Sequence, residues 1–356
     1  MTEHQLAPSG RPTDEQRYAR QMRYAPIGPD GQALLGASRA AIVGLGALGS
    51  VAAQHLARAG VGFLRLVDRD VLEWSNLQRQ VLYTEDDVAR MLPKAEAAAA
   101  RLQAVNSSIV LEPVIADVTG LNAEALLGDV DVIIDGSDNF SVRYLINDVS
   151  LKHGIPWIYG GVVGATGMTM NFHPGETPCF RCLFPAPPAT GAVDTCDTAG
   201  VLAPAVDVVA SLQAAEALKL LSGNRAAMRG TLLQLDLWYH QWMPLQVGGS
   251  RRDDCPACAQ RQYDYLDQRN AEPAAAALCG RSTVQITPAD GAQPVSLNVL
   301  EGRLARIGEV ERNPFLLRYR RDEEIVAVVF ADGRALIQGT EDPLVARRVY
   351  AELFGV

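Results

Sequence analysis

The feature that most constrains the fold is the run Ala40-Ala41-Ile42-Val43-Gly44-Leu45-Gly46-Ala47-Leu48-Gly49-Ser50, where an apolar stretch breaks into GxGxxG and then into an alanine-rich helical pattern. Strand, glycine turn and helix in that order open a βαβ unit. Gly44 lets the chain turn tightly off the strand, Gly46 leaves bare backbone for a phosphate, and Gly49 lets the helix press onto the sheet. The helix start then turns unpaired N–H groups and the positive end of its dipole toward an anion. Phe63 to Asp68 follows as a second strand ending in an acid about twenty residues on, where a ribose-binding carboxylate belongs. A nucleotide site is expected at this strand end.

The same alternation continues downstream. Pro93 opens a helix over Lys94 to Val105; Ile109 to Ala116 reads as a strand, Ala123 to Leu127 as a helix, Asp131 to Asp135 as a strand, and Phe140 to Lys152 as a helix that Asn139 can begin. This pattern predicts an α/β fold with a Rossmann-like, doubly wound, mostly parallel sheet. Ile155 to Val163, Met168 to His173 and Gly230 to Trp238 have strand character, and Val201 to Leu221 is helical. Upstream, residues 1–13 read as a flexible leader, and Asp14 as the cap of a helix through Tyr24 whose arginines line a solvated face. Residues 14–265 are expected to form the nucleotide-binding domain and 266–277 a linker. The remainder, 278–356, reads as a small α+β domain with strands over Ser282 to Ile286, Phe315 to Arg320 and Ile325 to Phe330, and helices over Ser296 to Arg306 and Pro343 to Phe354.

With 356 residues the chain can bury a full core and has room for about two domains. Its net charge of −9 argues against nucleic acid as a partner. Met1 to Gln16 has no apolar signal region, and the most hydrophobic long stretch, Val201 to Leu221, is broken by Asp207, Glu216 and Lys219. A soluble, cytoplasmic protein without a membrane partner is expected. Of six cysteines, four form two CxxC pairs, Cys179 with Cys182 and Cys255 with Cys258. Two such loops can each give two thiolates to one tetrahedral zinc; independent redox motifs would need a strand and helix placement that neither pair has. Cys196 stands apart before a helix start, which favours a reactive thiolate, while Asp194 and Asp197 oppose it and leave a bystander thiol as the alternative. Cys279 and the scattered histidines, His55 and His153 among them, read as structural.

Three further features gather near the strand ends. Glu73 to Gln80 is polar and longer than an ordinary βα turn. Lys94 falls in the first turn of its helix, where its cation opposes the dipole unless an anion pairs with it. Asp138, in the exit turn Gly136 to Asn139, comes to the same sheet edge as the glycine loop, and a carboxylate at a phosphate site points to magnesium.

Taken together, Arg17-Tyr18-Ala19-Arg20-Gln21, the glycine loop, Val67-Asp68-Arg69-Asp70, Ser75 to Gln80, Pro93-Lys94, Ser137-Asp138-Asn139, the two CxxC pairs and Thr195-Cys196 resemble the ThiF/MoeB/HesA family over about residues 14–265. These are bacterial relatives of ubiquitin-activating enzymes. The resemblance implies ATP-dependent adenylylation of the C-terminal glycine of a ubiquitin-like sulfur carrier of ThiS or MoaD type, with release of pyrophosphate, for thiamin or molybdopterin synthesis. It implies that Asp68 holds the ribose, that Asn76, Arg79 and Lys94 hold phosphates, and that Asp138 holds magnesium, with Gly44, Gly46, Gly49, Asp70 and Gln80 completing the nucleotide site. It also implies a homodimer in which Arg20 reaches the partner subunit's site, and a role for Cys196 in taking the acyl group or sulfur.

The residues suit that chemistry on their own terms. A carboxylate nucleophile is already ionised at neutral pH, so the difficulty is bringing an anion up to a polyanion, and cations are what the site must supply. Ala47 replaces a second adjacent glycine found in many relatives, and 278–356 has no rhodanese-like pattern, so sulfur is expected from a separate donor such as a cysteine desulfurase or rhodanese. GxGxxG with Asp68 would serve an NAD-dependent dehydrogenase equally well, but Arg79, Lys94 and Asp138 have no place there. The same charged set weighs against a non-catalytic nucleotide-binding scaffold.

Overall fold

The computed structural model describes residues 13–187, 199–267, 275–277, 282–288 and 294–354. The chain divides into two compact units near residue 270. In the first, α1 (Asp14–Met22) and α2 (Gly28–Ala37) precede β1 (Arg39–Val43), α3 (Ala47–Ala59) and β2 (Phe63–Asp68). Then come α4 (Glu85–Ala89), α5 (Lys94–Val105), β3 (Val110–Ile115), α6 (Ala123–Leu127), β4 (Val132–Asp135) and α7 (Phe140–His153). The unit continues with β5 (Trp157–Val163), β6 (Thr166–Phe172), α8 (Phe180–Leu183), α9 (Ala203–Leu221), β7 (Leu232–Asp236), β8 (Gln241–Leu245) and α10 (Asp264–Asp267).

The eight strands form one sheet in the order β3-β2-β1-β4-β5-β6-β7-β8. The first five are parallel, as the alternating pattern predicts, and β6, β7 and β8 extend the sheet as an antiparallel meander. Strand order reverses between β1 and β4, and ligands of such sheets sit outside the carboxyl ends of the strands at that point. Val43 pairs with Val67 on one side and Asp135 on the other, so Gly44, Asp68 and Gly136 leave the sheet at one level. Apolar burial fixes this level: β1 and β4 are buried on both faces, and Leu48 and Val51 of α3 pack with Val206, Val209 and Ala210 of α9.

Several local expectations are corrected. The cap of α1 is Thr13, not Asp14: its hydroxyl accepts the Gln16 N–H while the Gln16 side chain accepts the Thr13 N–H, a reciprocal pairing that leaves Asp14 inside the first turn. Three glycines and Pro29 obscure α2 in the sequence, yet it forms because Gln32 and Leu35 are buried by tertiary packing. Pro244 hides β8, and the strand tolerates it because β8 is the sheet's edge.

In the second unit, β9 (Ala275–Ala277), β10 (Thr283–Ile286), β11 (Glu309–Arg312), β12 (Leu316–Arg320), β13 (Val326–Phe330) and β14 (Ala335–Gln338) form an antiparallel sheet in the order β11-β12-β13-β14-β10-β9. Leu297, Leu300 and Leu304 of α11 (Leu297–Leu304) and Ala346, Val349 and Leu353 of α12 (Pro343–Phe354) build its core with Leu317, Ala327, Val329 and Ile337. Part of the segment read as linker is thus strand, Ala277 pairing with Val284.

Candidate nucleotide site and cysteine centre

Gly44 has φ +83°, a left-handed conformation that a side chain would strain, and its N–H is held by Val67 O at 2.8 Å. A Cβ on Gly49 would lie 1.8 Å from Gly44 O, so the start of α3 presses directly on the turn. Gly136 closes the cluster from β4: its own Cβ would lie 2.5 Å from Gly44 O, a constraint visible only once β1 and β4 are known to be neighbours. A Cβ on Gly46 would clash with nothing, its nearest atom being Gln80 Nε2 at 3.8 Å. Gln80 is 3% exposed and its Oε1 accepts no hydrogen bond, an acceptor available to a ligand. Bare backbone at a helix start suits a phosphorylated ligand, and the Gln80 oxygen suits a ligand hydroxyl or N–H.

Asp68 spends both carboxylate oxygens on the loops around it. Oδ2 accepts the Leu45 N–H at 2.6 Å and Oδ1 the Asp70 N–H at 2.7 Å. Burial raises its pKa against the opposing pull of Lys94, with Asp70 adding to the rise. Lys94 is 3% exposed, and its Nζ lies 2.9 Å from Asp70 Oδ2, so the anion its helix position demands is present. An unpaired buried ammonium costs several kcal/mol, against roughly 1 kcal/mol at most from the dipole, so this pair decides where the side chain sits. Arg69 bonds Asp117 at 3.0 Å, and burial does not stop that carboxylate from holding its pKa up.

Asp138 is exposed and accepts no hydrogen bond from a described residue, while its charge acts on Arg69 and Arg143. The turn that carries it is clamped from below. Asp135 Oδ1 accepts the Ser137 N–H at 3.0 Å and its hydroxyl at 2.6 Å, Arg143 Nε bonds Asp135 Oδ2 at 2.9 Å, and Arg143 Nη2 reaches Ser137 O at 2.7 Å. Sequence reasoning missed this Asp135–Arg143 pair, whose only signal is an acid at a strand end followed by a helical arginine. Asn139 caps α7 as expected, accepting the Ser141 N–H at 2.8 Å.

Among the described residues no hydrogen bond joins Asn76, Arg79 or Arg20 to the glycine turn. Asn76 is buried and its Oδ1 accepts the Glu73 N–H at 3.1 Å, which shapes the polar loop after β2. Arg79 is half-buried and its guanidinium bonds Ser75 O at 2.8 Å inside that loop. Arg20 is exposed on α1 and makes no hydrogen bond or ion pair with a described residue. Cys196 and Cys279 lie outside the described residues. His153 pairs with Glu124 at 2.8 Å, in keeping with a structural role.

At the other end of the unit the four CxxC cysteines converge. Cys179 Sγ lies 3.8 Å from Cys182 Sγ and 3.6 Å from Cys255 Sγ, Cys182 Sγ lies 3.5 Å from Cys258 Sγ, and all four fall within 4.8 Å of one another. Zinc–sulfur bonds of about 2.3 Å in a tetrahedron put sulfurs about 3.8 Å apart, so the set fits that ion. Burial, and then the three neighbouring thiols, push the Cys179 thiol up. A bound dication reverses that preference and deprotonates the ligands.

An open α/β sheet with a glycine turn at its switch point, a buried lysine beside the turn and a four-cysteine centre defines a nucleotide-binding protein of Rossmann type. The chain belongs to the ThiF family, whose model matches residues 18–257. It is 45% identical over 340 residues to the sulfur carrier protein ThiS adenylyltransferase of Bacillus subtilis, covering 95% of this chain and 99% of that one. It is 41% identical over 258 residues to the SAMP-activating enzyme E1 of Haloferax volcanii, covering 72% and 93%. Its fold is similar to the crystal structure of E. coli MccB with MccA-N7isoASN, with a TM-score of 0.61 at 23% identity over 68% of this chain and 74% of that one. Among the described residues no helix is long and apolar enough to cross a membrane.

Proposed function

We propose that this chain uses ATP to adenylylate the C-terminal glycine carboxylate of a ubiquitin-like sulfur carrier, releasing pyrophosphate. The observation that carries the reading is Lys94, a buried ammonium held by Asp70 beside the glycine turn, in a chain of the ThiF family. A ThiS-like carrier, and with it thiamin synthesis, is favoured over a MoaD-like one because the Bacillus subtilis relative matches 340 residues, too many to omit the C-terminal unit.

The chemistry is charge management. The carrier carboxylate is ionised and needs no general base; it must approach the α-phosphate while charge builds on the leaving pyrophosphate. In this reading the Gly46 region receives the phosphates, Asp68 the ribose, and Lys94 turns from Asp70 toward the polyphosphate as it arrives. Asn76, Arg79 and Gln80 face the phosphates from the loop after β2, and Asp70 holds Lys94 between turnovers. Magnesium, carried on Asp138, supplies further positive charge when bound, and zinc on Cys179, Cys182, Cys255 and Cys258 holds α8 to the end of the unit. Residues 14–265 are then the catalytic domain, Arg20 serves the partner subunit's site, and Cys196 takes the acyl group from the adenylate as AMP leaves, or sulfane sulfur from a separate persulfide donor. Reduced cysteine pairs committed to a metal suit the cytoplasm.

ATP–pyrophosphate exchange in the presence of the purified carrier tests the assignment, and it separates this reading from a dehydrogenase. Lys94→Ala and Asp138→Ala should each lower exchange by about a hundredfold or more with the fold intact, because both act on charge at the strand ends. Near-normal exchange in both variants overturns the assignment.

A further inference from the structure

The phenol of Tyr83 is buried, and its hydroxyl donates to Leu45 O at 2.7 Å. Lys94 O lies farther off, at 3.4 Å, so the single proton goes to Leu45. Burial, with the nearby Asp68, Asp87 and Asp70, keeps the phenol protonated, so the hydroxyl remains a donor. A buried tyrosine bonded to some carbonyl is ordinary; which carbonyl it holds gives this one its consequence. Leu45 lies between Gly44 and Gly46, and Asp68 holds its N–H at 2.6 Å. Its carbonyl belongs to the peptide unit that carries the Gly46 N–H. A peptide is planar and trans, so its C=O and N–H point in opposite directions. Fixing Leu45 C=O inward therefore fixes the Gly46 N–H outward. No described residue accepts from that N–H, and a Cβ on Gly46 would meet nothing nearer than Gln80 Nε2 at 3.8 Å.

We propose that Tyr83 is a positioning residue for the triphosphate: by holding the Leu45–Gly46 peptide in one orientation, it aims the Gly46 N–H at the phosphate position. It does not touch the nucleotide. The inference rests on the reading of this site as an ATP site. It places a determinant of phosphate binding on a segment that the GxGxxG pattern does not include.

Tyr83→Phe removes one oxygen and keeps the ring that fills the core. Ligand-observed NMR titration of the full chain with ATP and with adenosine separates phosphate contacts from those to base and ribose. Loss of one hydrogen bond's worth of alignment should weaken ATP roughly fivefold to tenfold and change adenosine by less than about twofold. Hydrogen exchange on the nucleotide-free protein should show the Leu45 amide, which Asp68 holds in the same loop, speeded in the variant while amides of β1 keep their protection. Equal weakening of ATP and adenosine would mean that the hydroxyl merely supports the fold, and unchanged ATP binding would mean that it orients nothing; either overturns the proposal. If the unaltered chain binds neither ligand, the nucleotide reading itself is wrong.

Discussion

On α7, the buried Asp148 carboxylate accepts the Tyr265 N–H at 3.1 Å and an Asn147 side-chain N–H at 3.3 Å. Burial outweighs those bonds and the nearby Arg181, and pushes its pKa up to about 7. Between about pH 4, where an unfolded aspartate ionises, and about pH 7, the folded chain keeps a proton that the unfolded chain has lost. Stability from this group is therefore full below about pH 4, declines as pH rises through 7, and is absent above, a span worth at most ~4 kcal/mol. Asp148→Asn, which cannot ionise, should flatten the urea midpoint between about pH 5 and 7 (roughly the upper two-thirds of that window). A decline as steep as that of the unaltered chain would place the linkage elsewhere. Lys94 was legible only in part. Its helix position shows in the sequence that an anion is needed, but only the return of β2 beside α5 shows that Asp70 provides it.

The parallel strands and their helices were legible because each is a single apolar or periodic run bounded by a turn residue: β2, α5 and α6 begin and end where the pattern does. Elements whose residues oppose their own structure were not. Glu309–Arg312 is polar throughout except Val310 and is held by cross-strand pairs such as Glu309 with Arg320 at 3.0 Å, so its only signal lies in a partner strand. The cysteine spacing was legible, and its consequence belongs to elements: α8 is anchored in the core by Phe180 against Tyr144, Trp157 and Phe172, whereas the turn Cys255–Cys258 packs against little beyond Leu151 and Ala257. Metal should supply the rest. One zinc per chain is expected by elemental analysis, and Cys255→Ser should lose it and lower the melting temperature. Protein purified without chelator and found free of zinc would refute that centre. Edge strand β8 is the opposite case, an element exposed along its whole length, with Trp242 51% and the adjoining Trp238 67% exposed. In the reaction proposed above, the carrier is the partner expected on this exposed apolar edge. Trp242→Glu should raise the carrier KM about tenfold while ATP binding is unchanged, read by AMP transfer and by nucleotide titration. An unaltered carrier KM would exclude β8 from the interface.

At the scale of the whole molecule the open question is whether one chain makes a complete site. Arg20 stands exposed at the end of α1 without a partner among the described residues, although the family resemblance gives it a phosphate to bind. A cation that serves the other subunit would look like this in a single chain, and two-fold assembly would supply each site with one such residue. Mixing tests it. In a dimer of one Arg20→Ala chain and one Lys94→Ala chain, the site on the first has its own Lys94 and the partner's Arg20, whereas the site on the second has neither. Random exchange makes about half of the dimers mixed, each with one intact site in two, so activity should recover to about a quarter of that of the unaltered protein from two nearly inactive parents. Recovery should follow the rate of subunit exchange, checked by native mass spectrometry of differently tagged chains. If verified mixed dimers show no gain, Arg20 acts within its own chain or outside the reaction, because a residue working in cis leaves every site in the mixture one cation short.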